Sequence, residues 1–238
     1  MQTIAFSGPF ILDRTRHAAV QVYEYLREEI VSLTLTPGTV LSRNELSAHF
    51  DLSVTPIRDA LTRLEEDDLV DIYPQHATRV RGISIDSARQ AHFLRLALEV
   101  EAVRTLAEQH DASLVPALYA LVQQQKSALE QRDFKAFSRA DQAFHHQLYG
   151  AARVEDLWRL MRSRSGNMDR LRRLHLPLNN KAESVLKDHV DIADAIDRRD
   201  AAGADAAVRR HLSGTLSQLN ALREQFPDYW TPGADAPR

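Results

Sequence analysis

The chain has 238 residues, of which 44% are hydrophobic and 26% charged, a balance typical of a soluble globular protein with one large or two ordinary domains. It contains no cysteine, which excludes disulfide bonds and thiolate metal sites and favours a reducing, cytoplasmic setting. No apolar stretch of membrane length and no signal peptide are recognisable, so we expect no membrane partner. The formal net charge is −3 and only eight glycines occur, which predicts a mainly helical fold without a strongly basic character.

The N-terminal part of the chain predicts two helices. Residues 1–15 show no hydrophobic period and are predicted to form a loose N-terminal arm. A helix is predicted over residues 17–33, because apolar side chains recur there every three or four positions. The turn sequence at residues 36–38, Thr-Pro-Gly, ends it, and a short helix is predicted over residues 43–50.

The next segment, residues 52–64, has the pattern of a helix that contacts DNA. Ser53 and Thr55 are residue types that cap helix N-termini, and Pro56 is tolerated in a first helical turn. Apolar residues at helical spacing define a buried face, which leaves Thr55 and Arg58 pointing elsewhere. Hydroxyls at a helix N-terminus suit phosphate, and arginine suits guanine or phosphate.

Two short strands, over residues 69–73 and 78–81, are predicted to form a hairpin around the turn at residues 74–77. Three helices followed by a hairpin make a winged helix-turn-helix domain, which is predicted to span residues 16–82. Its charge opposes a simple nucleic-acid assignment, because residues 1–82 contain eight arginines, no lysine and twelve acidic residues, a net charge of −4. We nevertheless expect DNA contact, because the acidic residues at 65–68 cluster at the far end of the candidate helix.

After a linker at residues 83–86, the hydrophobic period is helical throughout, and no strand pattern occurs. Six helices are predicted to form an antiparallel bundle over residues 87–225, followed by an irregular tail at 226–238. The predicted helices lie near residues 86–110, 113–131, 133–150, 154–175, 181–199 and 201–223.

Four potential metal ligands fall on inward faces of three bundle helices. Asp141 and His145 lie four residues apart on the same face as Phe144, while His189 and His211 interrupt apolar stripes further along the chain. A divalent cation would satisfy all four groups and remove the cost of burying a carboxylate without a partner. A single inward histidine is more often a hydrogen-bonded core residue, so the residue pattern leaves the core and metal-site interpretations open.

The winged-helix segment carries a family resemblance. Pro37-Gly38, Glu45-Leu46 and the run Ser53-x-Thr55-Pro56-Ile57-Arg58-Asp59-Ala60-Leu61 resemble the DNA-binding domain of GntR-family transcriptional regulators. The sequence departs from that pattern at three positions. Asn44 and Val54 stand where relatives carry an arginine, and Ala77 replaces the usual glycine of the wing tip. As contacts to a double-stranded operator we predict one group of exposed side chains: Arg43, Ser53, Thr55, Arg58 and Arg79.

The bundle carries a second resemblance. Asp141-Gln-Ala-Phe144-His145, Asp188-His189 and Arg210-His211-Leu212 resemble the FCD ligand-binding domain of the FadR-type subgroup, and six helices match its VanR-like branch. The resemblance implies that a divalent metal is bound by Asp141, His145, His189 and His211. Three imidazoles and a carboxylate suit Zn, Ni, Mn or Fe without choosing among them. It also implies a small carboxylic acid effector, for which Arg95 and Arg162 are the predicted contacts.

Together the two resemblances imply a metabolite-responsive, non-enzymatic transcriptional regulator. Most members of the family are repressors, and they act as homodimers on pseudo-palindromic operators. Two alternatives remain open from the sequence. The Asp/His₃ site could activate water in a metal-dependent enzyme, or the cation itself could be the signal in a direct metal sensor.

Overall fold

The computed structural model describes residues 6–73, 77–178 and 180–231, and its fold is mainly helical with one small sheet, as predicted. Among these residues no helix combines the length and apolar character needed to cross a bilayer. The helices are α1 Ala18–Val31, α2 Arg43–Phe50, α3 Val54–Glu66, α4 Ile85–Glu108, α5 Leu114–Glu130, α6 Phe134–Ala151, α7 Glu155–Arg164, α8 Gly166–His175, α9 Lys181–Asp197, α10 Ala201–Ser213 and α11 Leu219–Gln225. The strands are β1 Val40–Leu41, β2 Val70–Ile72 and β3 Thr78–Val80.

The chain forms two compact units, and each is made of separate stretches of sequence. The first comprises the described parts of Met1–Ala88, Arg164–Arg173 and Ala221–Arg238. The second comprises Arg89–Ser163 and the described parts of Leu174–Asn220. The contiguous ranges 16–82 and 87–225 stay a prediction for the domain boundaries. In the packing, two later segments join the first 88 residues.

In the first unit, α1 and α3 pack together around the apolar face that the sequence predicted. Ile57, Ala60, Leu61 and Leu64 of α3 are fully buried. The sheet has the order β1-β3-β2 with antiparallel neighbours, and Val70 pairs with Val80. The sequence missed β1, because two residues are too short to show a period. The predicted turn between β2 and β3 falls largely on residues 74–76, which lie outside the described residues.

The turn between α2 and α3 has well-defined ends. The Ser42 side chain accepts a hydrogen bond from the Glu45 amide and caps α2. Asp51 then adopts the left-handed conformation at φ 51°, which stops α2 at Phe50. Ser53 occupies the N-cap position of α3, as predicted, but its side chain makes no capping hydrogen bond.

The described residues of the arm and the tail make contacts that the sequence did not indicate. In the arm, Phe6 lies 4.1 Å from the His49 ring, and Phe10 packs edge-on against Phe50. Aromatic packing on α2 therefore holds Phe6 and Phe10 in place, although the missing period gave no sign of it. In the tail, Trp230 forms a parallel bridge with Ile83. Such long-range pairing leaves no local signal in the sequence.

The helix predicted over residues 154–175 is broken at Ser165 into α7 and α8. A Cβ atom on Gly166 would lie 2.7 Å from Leu69 Cδ2, so a larger residue there would force the Leu69 side chain to shift. Arg170 of α8 is fully buried and donates hydrogen bonds to the Arg81 and Gly82 carbonyl oxygens. The helix predicted over residues 201–223 is also divided. Its first part, α10, ends at Ser213, and a 3₁₀ turn and α11 follow.

The second unit is a helical bundle in which α5 packs against α6 and α9, and α9 packs against α10. Asp133 caps α6 and Asp200 caps α10, each by accepting a hydrogen bond from a backbone amide three residues later. The core of the unit is apolar and includes the following buried residues: Val103, Leu118, Val122, Phe144, Leu148, Ile192, Ile196, Val208 and Leu212.

Candidate metal centre and nucleic-acid interface

The structure brings the four predicted metal ligands together in the second unit. Asp141 and His145 come from α6, His189 from α9 and His211 from α10, and one ligand atom from each lies within 4.8 Å of all the others. His145 and His189 are fully buried, His211 is 7% exposed, and the Asp141 side chain is 19% exposed. The four side chains that the sequence places on inward helix faces therefore meet at one point.

The Nε2 atoms of the three imidazoles face one another. His211 Nε2 lies 3.2 Å from His145 Nε2 and 3.3 Å from His189 Nε2. Asp141 Oδ1 lies 3.5 Å from His189 Nε2 and 4.0 Å from His145 Nε2. Phe144 stacks on the His189 ring at 4.0 Å with an interplanar angle of 4°, which restrains that imidazole. Three ring nitrogens and one carboxylate oxygen therefore surround a common space.

Burial sets the charge state of these histidines. It lowers the pKa of His145, His189 and His211 well below the ordinary value of 6.5, and neighbouring positive groups, including Arg95, lower each pKa further. All three rings are therefore neutral near pH 7. A neutral imidazole carries one nitrogen lone pair that can bind a metal, which is the form that coordination requires.

An oxygen atom holds the outer nitrogen of His189. Gln125 Oε1 lies 2.7 Å from His189 Nδ1, and the Gln125 side chain is fully buried on α5. An amide oxygen only accepts, so this contact assigns the proton to Nδ1 and leaves the Nε2 lone pair directed at the cluster. Hydrogen bonds of this kind orient imidazole ligands in metal sites.

The other two histidines also have carboxylates near their outer nitrogens. Glu99 Oε2 lies 2.8 Å from His145 Nδ1, although the two groups are not aligned as a regular hydrogen bond. Asp188 Oδ2 lies 3.7 Å from His211 Nδ1, a contact that is electrostatic only. With protons on Nδ1, three Nε2 lone pairs would repel each other at these distances. A divalent cation among them removes that repulsion, so the residues present fit a metal ion.

The two arginines predicted to hold an effector lie near this cluster. Arg95 is 5% exposed, and its Nε lies 2.5 Å from Glu99 Oε1. Arg162 is half-buried, with its guanidinium 5.8 Å from the centre of the Trp158 ring. Both positive charges lower the pKa of His145, so both act on the site electrostatically. Their contact with an effector stays a prediction.

Sequence reasoning did not assign Glu99 and Gln125 to the site. Gln125 lies on α5, which carries no metal ligand, yet it falls in helical register with the buried residues Leu118 and Val122. A polar residue that interrupts an apolar stripe was the signal, the same one that identified His189. Glu99 lies four residues after Arg95 on α4, and spacing on that one helix does not reveal its neighbour His145 on α6.

The predicted DNA contacts lie in the first unit and all five are exposed: Arg43, Ser53, Thr55, Arg58 and Arg79. The Arg58 side chain is 63% exposed, and its Nε lies 3.6 Å from Asp59 Oδ1. Arg79 donates a 3.3 Å hydrogen bond to the Gly38 carbonyl oxygen. Hydroxyl and guanidinium groups are thus available at the start of α3 and on β3.

Internal contacts engage most of the acidic cluster at residues 65–68. Glu65 accepts a hydrogen bond from the Ile72 amide, Asp67 accepts one from the Tyr23 hydroxyl, and Asp68 pairs with Arg81. Burial raises the pKa of Asp67, and together with Asp67 it raises the pKa of Tyr23 to about 12. These acids therefore stabilise contacts inside the unit, and Asp68 pairs with the charge of Arg81.

Comparisons with known proteins agree with this architecture. Residues 18–80 match the family described as bacterial regulatory proteins, gntR family, and residues 90–214 match the FCD domain. The HTH-type transcriptional repressor RspR of Escherichia coli (strain K12) is 30% identical over 220 residues, which cover 92% of this chain and 96% of that protein. An uncharacterized HTH-type regulator in an unstable DNA locus of Streptomyces ambofaciens is 31% identical, covering 90% and 89%.

Solved structures show the same fold. E. coli McbR/YncC has a TM-score of 0.74 at 19% identity and covers 89% of this chain and 99% of that chain. A putative GntR regulator from Rhodococcus sp. RHA1 has a TM-score of 0.73 at 22% identity, covering 85% and 97%. The two family matches and the repressor relative lead to one conclusion: the chain belongs to the GntR family of bacterial transcriptional regulators and carries an FCD domain.

Proposed function

We propose that this regulator is a metal-containing repressor whose affinity for DNA is controlled by a small carboxylic acid. The observation that carries the proposal is the convergence of Asp141, His145, His189 and His211 within 4.8 Å in a buried part of the bundle. Neutral imidazoles, with the outer nitrogen of His189 hydrogen-bonded to Gln125 and carboxylates near those of His145 and His211, support metal binding over a hydrogen-bonded core.

The four ligands would hold Zn, Ni, Mn or Fe, since nitrogen and carboxylate donors without sulfur suit each of these ions. A bound cation would supply positive charge and open coordination positions that attract a carboxylate. The positive charge of Arg95, which acts on all three histidines, supports an anionic effector at the same place. Arg162 adds positive charge to the surroundings of His145.

For the DNA side we propose that α3 enters the major groove. Arg58 would contact a base or phosphate, Ser53 and Thr55 would bind phosphate through their hydroxyls, and Arg43 and Arg79 would contact the backbone. Two observations support this assignment: the five side chains are exposed, and the Ser53 side chain at the N-cap of α3 makes no capping hydrogen bond. A homodimer in the cytoplasm would place two copies of α3 on a pseudo-palindromic operator.

Repression is supported by the name of one relative, the transcriptional repressor RspR. The effector would relieve repression by binding more tightly to the form of the protein that binds DNA poorly. Its influence on the equilibrium is limited to that difference in affinity.

A thermal-shift screen of small carboxylic acids on the metal-loaded protein tests the proposal. A specific acid should stabilise the protein by roughly 2.7 kcal/mol at a hundred times its dissociation constant. The same acid should weaken operator binding at constant metal. If no acid stabilises the loaded protein, the proposed effector function is wrong.

The alternatives give different results in the same setting. A direct metal sensor would change its operator affinity on chelation without any acid, whereas a structural metal would chiefly change the melting temperature. A metal-dependent enzyme would convert a candidate acid over many turnovers. The names of the relatives, all transcriptional regulators, support regulation over catalysis.

A further inference from the structure

Val54 is an apolar side chain that the first unit leaves open to solvent. It occupies the first position of α3, directly after the N-cap residue Ser53, and it is 47% exposed. The apolar residues that pack α3 into the unit are fully buried and lie further along the helix: Ile57, Ala60, Leu61 and Leu64. A single exposed valine is common on a protein surface, so the neighbours of Val54 decide whether it has a function.

Val54 shares an open row of α3 with Arg58 and Thr62. Residues four apart lie on the same face of a helix, and all three of these side chains are exposed. Arg58 is 63% exposed, and its backbone carbonyl accepts a 3.1 Å hydrogen bond from the Thr62 hydroxyl. Val54 therefore stands at the N-terminal end of the row from which Arg58 is proposed to contact DNA. In a recognition helix, the residues at this end are the ones that contact base edges.

The chemistry of the valine side chain restricts what it can contact in DNA. It has no donor or acceptor, so it forms no hydrogen bond with phosphate or with the polar atoms of a base. Covering such an atom would remove its water without replacing the hydrogen bond. The apolar group on the major-groove edge of a base pair is the C5-methyl of thymine, and apolar side chains contact it.

The shape and charge of Val54 suit this contact. A β-branched side chain has one strongly preferred rotamer in a helix, so its two methyl groups are held in place before DNA binds. The side chain is uncharged and adds nothing to the sequence-independent attraction of phosphates. Resting on the proposed entry of α3 into the major groove, we infer that Val54 is a specificity-determining residue that contacts a thymine methyl group in each operator half-site.

The test removes methyl groups from the DNA and from the protein in turn. The full-length protein first selects its binding sequence from random duplexes. Each thymine of one half-site is then replaced by deoxyuridine, which lacks the C5-methyl and keeps the hydrogen-bonding groups of the base. Fluorescence anisotropy would measure the affinity of wild type, Val54→Ala and Val40→Ala for each duplex. Val40→Ala is the matched control, because that valine is 40% exposed in the same unit, on β1.

At one thymine of the half-site, deoxyuridine should weaken wild-type binding by roughly three- to fivefold, the effect of one methyl group that is no longer buried. Val54→Ala should bind the unmodified operator more weakly by at least as much, because it removes two methyl groups, and deoxyuridine should cause no further loss. Val40→Ala should keep the wild-type response to deoxyuridine. The salt dependence and melting temperature of Val54→Ala should equal those of wild type, because the change is uncharged and exposed.

Two outcomes would overturn the inference alone. Wild type and Val54→Ala could respond identically to deoxyuridine at every thymine, which would mean that Val54 contacts no thymine methyl. Val54→Ala could instead lose melting temperature and bind all duplexes equally weakly, which would make Val54 a structural residue. In both cases Arg58→Ala would still weaken operator binding. If no duplex is selected, or if neither Arg58→Ala nor Val54→Ala changes operator affinity, the proposed placement of α3 on DNA fails as well.

Discussion

The two units of the molecule use polar side chains in opposite ways. On α3, Thr55 and Arg58 lie outside the apolar face and are exposed. On α6, Asp141 and His145 share the face that buries Phe137 and Leu148. An exposed charge keeps its hydration and needs no partner, whereas a buried one is costly unless other groups compensate it. Substitutions in the two places should therefore change different properties.

The largest effect is expected for His189→Ala and His211→Ala. Each removes a ligand from the cluster, so metal binding should fall by more than the roughly 10–100-fold that loss of an outer-shell partner causes. Elemental analysis after dialysis would measure it. His146→Ala is the matched control, because that neighbouring imidazole is about half exposed and contacts Glu155. Full metal occupancy in either variant would contradict the ligand set.

Acid should destabilise the metal-free bundle. Burial lowers the pKa of His145, His189 and His211, so the unfolded chain binds more protons than the folded one below pH 6.5. The free energy of unfolding should therefore fall as the pH drops below about 6.5, by up to about 1.4 kcal/mol per pH unit for each histidine. Urea unfolding with a chelator between pH 7.5 and 5 would measure it. A flat profile would contradict the buried, neutral histidines.

Arg58→Ala should affect DNA binding alone. Loss of a base contact costs about 1–3 kcal/mol of operator affinity, while an exposed substitution changes stability by no more than about 0.5 kcal/mol. Fluorescence anisotropy at physiological salt would measure operator affinity. Arg198→Ala is the control, since that side chain is also 63% exposed and also lies near an aspartate. Unchanged affinity of the Arg58 variant would remove its assigned role.

Gln125→Leu should weaken metal binding by about 10–100-fold without removing a ligand. The change deletes the acceptor for His189 Nδ1 and leaves the four ligand atoms in place. Competition with a chelator of known affinity would measure it. Gln124→Leu, on the exposed side of the same helix, should bind metal as wild type. Equal affinity of both variants would mean that Gln125 has no positioning role.

Local patterns predicted the elements that carry both sites. The bounds of α2, Arg43–Phe50, are those of the prediction, because a capping serine and a turn at Asp51 mark its ends. The inward direction of His189 and His211 was also predicted, since each interrupts an apolar stripe of a bundle helix; that the two rings meet was implied by the family resemblance. The inward direction needs only the period of one helix.

Features that depend on partners far away in the sequence were not predicted. At the break at Ser165, Gly166 packs closely on Leu69, nearly a hundred residues earlier in the sequence. The role of Gln125 on α5 depends on its contact with His189, which belongs to α9. Period and propensity describe one helix at a time, and such contacts belong to two.

The pairing of Trp230 with Ile83 has a practical consequence for protein engineering. A Cβ atom on Gly82 would lie 2.5 Å from the Thr231 backbone nitrogen, so residues 230–231 lie directly against the chain that follows β3. A DNA-binding fragment that stops at residue 82 would lack this segment and also the Arg170 side chain that caps the Arg81 and Gly82 carbonyls. A chimeric regulator that takes its DNA-binding unit from this chain should therefore include residues 164–173 and 221–231 as well as the first 88 residues. Alternatively, the exchange can be confined to the bundle helices that lie between these segments in the sequence.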